Sequence, residues 1–234
     1  MKKITAIIVA GGAGRRMGVS APKPLIRINN KPILLYSLNA FDKSRFIDEI
    51  ILVAAKGLLN KADNILRSKK YKKLKKIVIG GSTRARSVYN GLRACENCGI
   101  VLIHDAARPF LTQDIIKRCV INVKKGINCI AAIPVKSTIK KINLKNSYIL
   151  STPKRNALYE AQTPQVFGKN ILLNAYKKLG KKAFDFSDDA SLVEACGGKI
   201  KIVFGDYKNI KITTKEDIKI AQALLKGRHC ERTK

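Results

Sequence analysis

The 234-residue sequence predicts an α/β protein: a mostly parallel, twisted sheet with helices on both faces and one projecting β-arm. Apolar, β-branched runs alternate with segments of helical periodicity from residue 4 to residue 135. Those runs are continuous rather than alternating with polar residues, which suits strands covered on both faces. Between residues 136 and 158 the rhythm breaks into short β-like pieces, and these predict the arm.

The first strand is expected at residues 4–10, ending against a glycine cluster. Residues 32–41 read as a helix with Pro32 in its first turn. A strand at 49–54, a helix at 58–68, a strand at 77–79, a helix at 84–95 and a strand at 101–103 follow. Repeated β-α-β order implies parallel pairing with right-handed crossovers. A helix after Thr112 leads to the strand at 130–135. Pieces at 138–142 and 148–150 flank the turn-forming residues 143–146, and so small a hairpin buries too little surface to stand alone. It is expected to pack on a second copy of the chain. Helical patterns return at 169–179, 188–196 and 214–225, with Ser187 and Thr214 at N-cap positions. Asp188, Asp189, Glu216 and Asp217 stand in the first turns, where carboxylates favour the helix dipole. No repeat or Gly/Ser linker interrupts residues 1–234, which read as a single domain with its arm at 136–158.

The net charge of +31 could report a nucleic-acid partner, an anionic substrate or a compositional bias toward lysine. Lysines occur along almost the whole chain, which favours bias. The densest run, residues 69–76, holds one tyrosine and no repeated aromatic platform for stacking bases, and reads as a solvated helix end or loop. No specific nucleic-acid partner is expected. Six cysteines lie scattered through helix and strand patterns. Cys95 and Cys98 have C-x-x-C spacing without the second pair a zinc site requires, so reduced thiols are expected. The charged start and short apolar run resemble a signal peptide, but Gly-Gly-Ala-Gly-Arg-Arg stands where cleavage should fall. A buried strand of a cytoplasmic protein is the better reading, and no stretch approaches the roughly 18 apolar residues of a membrane span.

The loop Gly11-Gly12-Ala13-Gly14-Arg15-Arg16-Met17-Gly18 fails the dinucleotide fingerprint, because Met17 occupies the third glycine position. It also lacks the Lys-Ser/Thr ending of a Walker A loop. What remains is a flexible backbone able to approach phosphate oxygens, with Arg16 and Lys23 supplying positive charge. Gly80-Gly81-Ser82-Thr83-Arg84 forms a second glycine turn, between a strand and a helix. Asp105 ends another apolar strand, where one carboxylate could hold Mg²⁺ beside substrate phosphates; alone, it would more often be a turn or cap residue. His104 alone would most often be structural. In an open α/β sheet these strand ends share one edge, where ligands bind.

"AGGAGRRMG" with "PKPL", "GGSTRARSV", "HDAARP", "RNALYEAQTPQVF" and "NIKITT" together resemble the methylerythritol phosphate cytidylyltransferases, from about residue 4 to residue 225. The resemblance implies a Rossmann-like nucleotidyltransferase fold and Mg²⁺-dependent transfer of a cytidylyl group from CTP to methylerythritol phosphate. It assigns charge stabilisation at the α-phosphate to Arg16 and Lys23, and the metal to Asp105. Ala10, Gly11, Gly12, Gly14, Gly81, Ser82, Ser87, Asp105, Ala106 and Lys211 would serve the nucleotide. Arg108, Thr138, Arg155, Thr163 and Ser187 would serve the acceptor, with Arg155 entering the site of a homodimer partner. Four positions depart from the family pattern: Pro24 and Arg86 where Gln and Asp are common, Ser82 for a frequent Asp, and Ser187 for a frequent Thr. Ribitol phosphate cytidylyltransferases and other sugar nucleotidyltransferases share the glycine-arginine loop. Ala107 and "RNALYEAQTPQ" favour methylerythritol phosphate over them.

Overall fold

The computed structural model describes residues 3–11, 22–67 and 71–230. In chain order, β1 (Lys3–Ala10) is followed by a two-strand ribbon, β2 (Arg27–Ile28) and β3 (Lys31–Pro32), then α1 (Ile33–Asp42), β4 (Glu49–Ala54), α2 (Leu59–Arg67) and β5 (Leu74–Ile79). Next come α3 (Arg84–Ala94), β6 (Cys98–Asp105), α4 (Gln113–Lys124), β7 (Cys129–Pro134), and the arm strands β8 (Lys141–Ile142) and β9 (Ile149–Ser151). The chain continues through β10 (Tyr159–Gly168), α5 (Lys169–Leu179), α6 (Asp189–Glu194), β11 (Lys201–Phe204) and α7 (Lys215–Cys230).

Every residue of β1 after Lys3 is buried, as its unbroken apolar run requires. Ile4, Ala6, Ile8 and Ala10 join the core beneath α1 and α4, while Ile7 and Val9 join the core beneath α3, α5 and α6. Each fully buried Ile contributes roughly 1.5–3 kcal/mol, so both layers are anchored on this strand. The sheet order is β11-β7-β10-β6-β1-β4-β5. β1 lies parallel to β4 and β6, β4 to β5, and β7 to β11; β10 runs antiparallel to both β6 and β7. Six strands therefore point one way, and their carboxyl ends form one edge.

The alternation up to residue 135 follows the sequence reading, with differences that have local causes. β10 and β11 were not expected. In β10, Gln162, Thr163 and Gln165 are buried and hydrogen-bonded, Pro164 interrupts the ladder, and the register with β7 shifts between Ala161 and Gln165, so no apolar run announces the strand. β11 is short and leaves only Val203 buried. Lys75 and Lys76, read as part of a solvated loop or helix end, are exposed residues of the edge strand β5, where lysine discourages pairing with other chains. Helix α1 begins at Ile33, leaving Pro32 at the N-cap rather than in the first turn. Asp188 replaces Ser187 as the N-cap of α6, because its carboxylate accepts from Ser191 N at 3.0 Å. Thr214 caps α7 as expected: its Oγ1 accepts from Asp217 N, and the Asp217 carboxylate accepts from Thr213 N and Thr214 N. Cys95, Cys98, Cys119, Cys129 and Cys196 are free thiols.

The arm carries a two-strand ribbon whose strand residues are all exposed, including Ile142, Ile149 and Leu150, with Leu144 and Tyr148 exposed beside them. Among the described residues no helix is long and apolar enough to cross a membrane.

Candidate active site

At the carboxyl edge of the sheet a cavity of about 420 Å³ opens between the ends of β1 and β6 and the loops leading to α3 and α7. It is lined by Val9, Ala10 and Gly11, by Lys23 and Pro24, by Gly81 to Arg84 with Ser87, by Asp105 to Ala107, and by Lys211. A groove of about 460 Å³ at the opposite end, near Gly99, Asn128 and Gly168, has, among the described residues, Lys124 as its one charged lining residue and no carboxylate. Only the first combines glycine turns, cations and a carboxylate.

The second glycine turn is held by its own helix. Thr83 caps α3 by accepting from Arg86 N at 3.1 Å. Ser87 Oγ accepts from Gly81 N at 3.0 Å and donates to Thr83 O at 2.9 Å. A Cβ at Gly80 would come within 2.9 Å of Ser87 Oγ, and one at Gly81 within 1.9 Å of Arg86 Cγ. Close approach, rather than an unusual φ, is what requires glycine here. Arg86 turns away to lie over the Phe184 ring, 3.6 Å from its centroid.

Asp105 ends β6 with both carboxylate oxygens paired. Arg84 Nε donates to Oδ1 at 2.9 Å, and Lys211 Nζ lies 2.7 Å from Oδ2. Burial alone would raise the carboxyl pKa; Arg84 and then Lys211 outweigh it and hold Asp105 well below the usual carboxylate range, ionised throughout physiological pH. Arg84 Nη1 also donates to Asp189 Oδ2 at 2.9 Å. Burial disfavours the guanidinium charge, but Asp189 and Asp105 more than restore it. Lys211 is carried by a segment tied through Ile212 N to Ala107 O at 2.9 Å, and by Asn209, whose Nδ2 donates to Thr163 O.

Behind Asp105 lies a buried polar relay. His104 Nε2 donates to Arg108 O at 3.1 Å, which leaves Nδ1 to accept from Thr163 Oγ1 at 2.8 Å. Thr163 Oγ1 in turn accepts from Asp105 N at 3.2 Å. Burial pushes the His104 pKa down to about 4, so the ring is neutral, and it packs edge-on against Phe41. The Arg108 guanidinium donates to Asn209 O at 2.8 Å and Ala161 O at 3.2 Å.

Of the residues singled out from the sequence, the cavity brings together Ala10, Gly11, Lys23, Gly81, Ser82, Ser87, Asp105, Ala106 and Lys211. Thr163 and Arg108 stand directly behind Asp105, with Thr163 Oγ1 and both terminal nitrogens of Arg108 hydrogen-bonded inside the protein. Ser187 is exposed just before α6, and Thr138 and Arg155 lie in the arm, where Arg155 Nη1 donates to Lys136 O at 3.0 Å. Gly12, Gly14 and Arg16 lie outside the described residues. The sequence places Asp189 in a helix first turn and Arg84 at a glycine turn, but gives neither a part in the site. Arg84 stands first in a helix after a glycine turn, which flagged an arginine there but not its two carboxylate partners.

Residues 4–227 match the family profile of 2-C-methyl-D-erythritol 4-phosphate cytidylyltransferase. The chain belongs to that family. It is 45% identical to the 2-C-methyl-D-erythritol 4-phosphate cytidylyltransferase of Alkaliphilus metalliredigens, covering 98% of this chain and 97% of the relative. The Lachnospira eligens cytidylyltransferase is likewise 45% identical, over 95% of this chain and 99% of its own. The crystal structure of 4-diphosphocytidyl-2C-methyl-D-erythritol synthase from Anaerococcus prevotii superposes with a TM-score of 0.85 at 35% identity, covering 96% of each chain. That agreement gives 96% of the chain the cytidylyltransferase fold, a Rossmann-like sheet.

Proposed function

We infer that this chain transfers the cytidylyl group of CTP to the phosphate of 2-C-methyl-D-erythritol 4-phosphate, giving 4-diphosphocytidyl-2-C-methyl-D-erythritol and pyrophosphate in non-mevalonate isoprenoid biosynthesis. Membership of the family over residues 4–227 carries this reading. A phosphate oxygen of the acceptor attacks the α-phosphorus, a new P–O bond forms, and the bond to the β-phosphate breaks as pyrophosphate departs with its electron pair. The acceptor is already anionic, so no general base is needed. That agrees with the site's one histidine, His104, being neutral, buried and doubly hydrogen-bonded. The remaining obstacle is repulsion between anions, and fixed cations are the remedy.

In this proposal Lys23 and Lys211, with Arg16, bear on the phosphates; Gly11, Gly81 and Ser82 form the wall for the nucleoside. A hard cation suits the donor set. Each Asp105 oxygen spends one lone pair on Arg84 or Lys211 and keeps another, and no cluster of three metal-binding side chains occurs among the described residues. Mg²⁺ is commonly held by one carboxylate with water and substrate phosphates. Asp105 would hold it, and when bound it supplies charge neutralisation on the triphosphate. Arg155, Thr138 and the exposed apolar residues of the arm belong, in the same proposal, to a homodimer interface that completes the acceptor pocket of a cytoplasmic enzyme.

Pyrophosphate release from CTP and Mg²⁺ is to be measured with methylerythritol phosphate and, separately, ribitol 5-phosphate. Turnover confined to ribitol 5-phosphate overturns the acceptor assignment, and full turnover in a chelator overturns the metal.

A further inference from the structure

We infer that Arg84 is a positioning residue for the transfer, fixing the Asp105 carboxylate and through it the Lys211 ammonium at the cavity wall; this deepens the functional reading above and rests on it. The guanidinium is shared by carboxylates from two different elements. Nε donates to Asp105 Oδ1 at the end of β6, and Nη1 donates to Asp189 Oδ2 in the first turn of α6, each at 2.9 Å. The free edge of Asp105, Oδ2, meets Lys211 Nζ at 2.7 Å. Formal charge thus alternates along Asp189, Arg84, Asp105 and Lys211, with burial raising the Asp189 pKa and the Arg84 guanidinium pulling it back down.

Because two carboxylates already balance it, Arg84 offers little net attraction to a triphosphate. What it supplies is geometry. A planar fork holds two carboxylates in a fixed relation, whereas an ammonium is a point charge on a flexible stem. The far end of the fork is well anchored: Asp189 is 1% exposed, and Gln165 Oε1 accepts from Asp189 N and Ala190 N while its Nε2 donates to Asp188. β10 and α6 are therefore locked together behind Arg84. With both oxygens tied, Asp105 has one orientation, and Lys211 lines the cavity from the position that orientation sets.

The test is steady-state kinetics on wild type, Arg84→Lys, and the double variant Arg84→Gln/Asp189→Asn. The double variant removes a buried pair together and leaves no lone Asp189 charge in the core. If Arg84 positions groups that act in the transition state, kcat falls about tenfold in Arg84→Lys and about 100-fold in the double variant, while KM for CTP changes less than about threefold. Folded double variant with kcat within about twofold of wild type makes Arg84 purely structural and overturns the inference. A tenfold or larger rise in KM at unchanged kcat makes it a ligand contact and overturns it equally. Wild type is measured first. Its failure to turn over removes the functional reading and this inference together, whereas active wild type with unaffected variants removes only the role of Arg84.

Discussion

Ser87→Ala isolates the hydroxyl on which both glycine turns converge. Ser87 is 2% exposed; its Oγ bonds Gly81 N and Thr83 O, and it is the nearest atom that an added Cβ at Gly11 or Gly80 would meet. Each lost hydrogen bond costs about 0.5–1.5 kcal/mol net. Because Gly81 is exposed, water can satisfy its freed N–H, which favours the lower end of that range. Alanine returns about 0.5 kcal/mol of helix propensity in α3. The balance is a loss of about 1 kcal/mol in urea unfolding. If the turn is preorganised by this hydroxyl, loosening it by a similar amount raises KM for CTP about fivefold, since 1.4 kcal/mol is tenfold. A stability loss of the expected size with unchanged KM would refute the link between the hydroxyl and the nucleotide wall. A KM rise of about 100-fold with unchanged stability would refute it differently, by making Ser87 a direct nucleotide contact.

Lys23→Ala should lower kcat by on the order of 10² without altering the circular dichroism spectrum, as loss of preorganised charge does; unchanged kcat removes Lys23 from the mechanism. Gly91→Ala places a Cβ 2.6 Å from Ile7 Cγ2 and 2.9 Å from Val53 Cγ2, and overpacking of about 1–3 kcal/mol outweighs about 1 kcal/mol of helix gain, so Tm should fall by several degrees. A rise in Tm would mean that α3 can move off the sheet at little cost. His104 is held neutral in the fold, its pKa lowered from 6.5 to about 4, while the unfolded chain takes up a proton below 6.5. Its stabilising contribution is complete above pH 6.5 and is lost as pH falls toward 4, about 2 kcal/mol of it between pH 7 and pH 5. Chemical unfolding at the two pH values checks this, and equal pH slopes for wild type and His104→Gln would contradict it.

The sheet up to β7 was legible because burial on both faces writes itself as unbroken apolar runs, and the helix starts because capping needs particular side chains at particular places. β10 was illegible for the opposite reason: Gln162, Thr163 and Gln165 are polar because they wire the strand to Asp206, His104 and α6, so the strand that organises the site carries no apolar signature. The glycine turns and Asp105 were legible as residue types at strand ends. Arg84 joining Asp105 to Asp189 was not, because Asp189 lies 105 residues away. Composition deepened the concealment. Among 47 basic and 16 acidic residues a given arginine says little, and the acids carry the information. Asp105 and Asp189 are buried carboxylates in a chain where cations are plentiful, and a buried carboxylate must find a partner or give up its charge. Following each such acid to its cation leads to Arg84 and Lys211, and so to the cavity wall that both residues line.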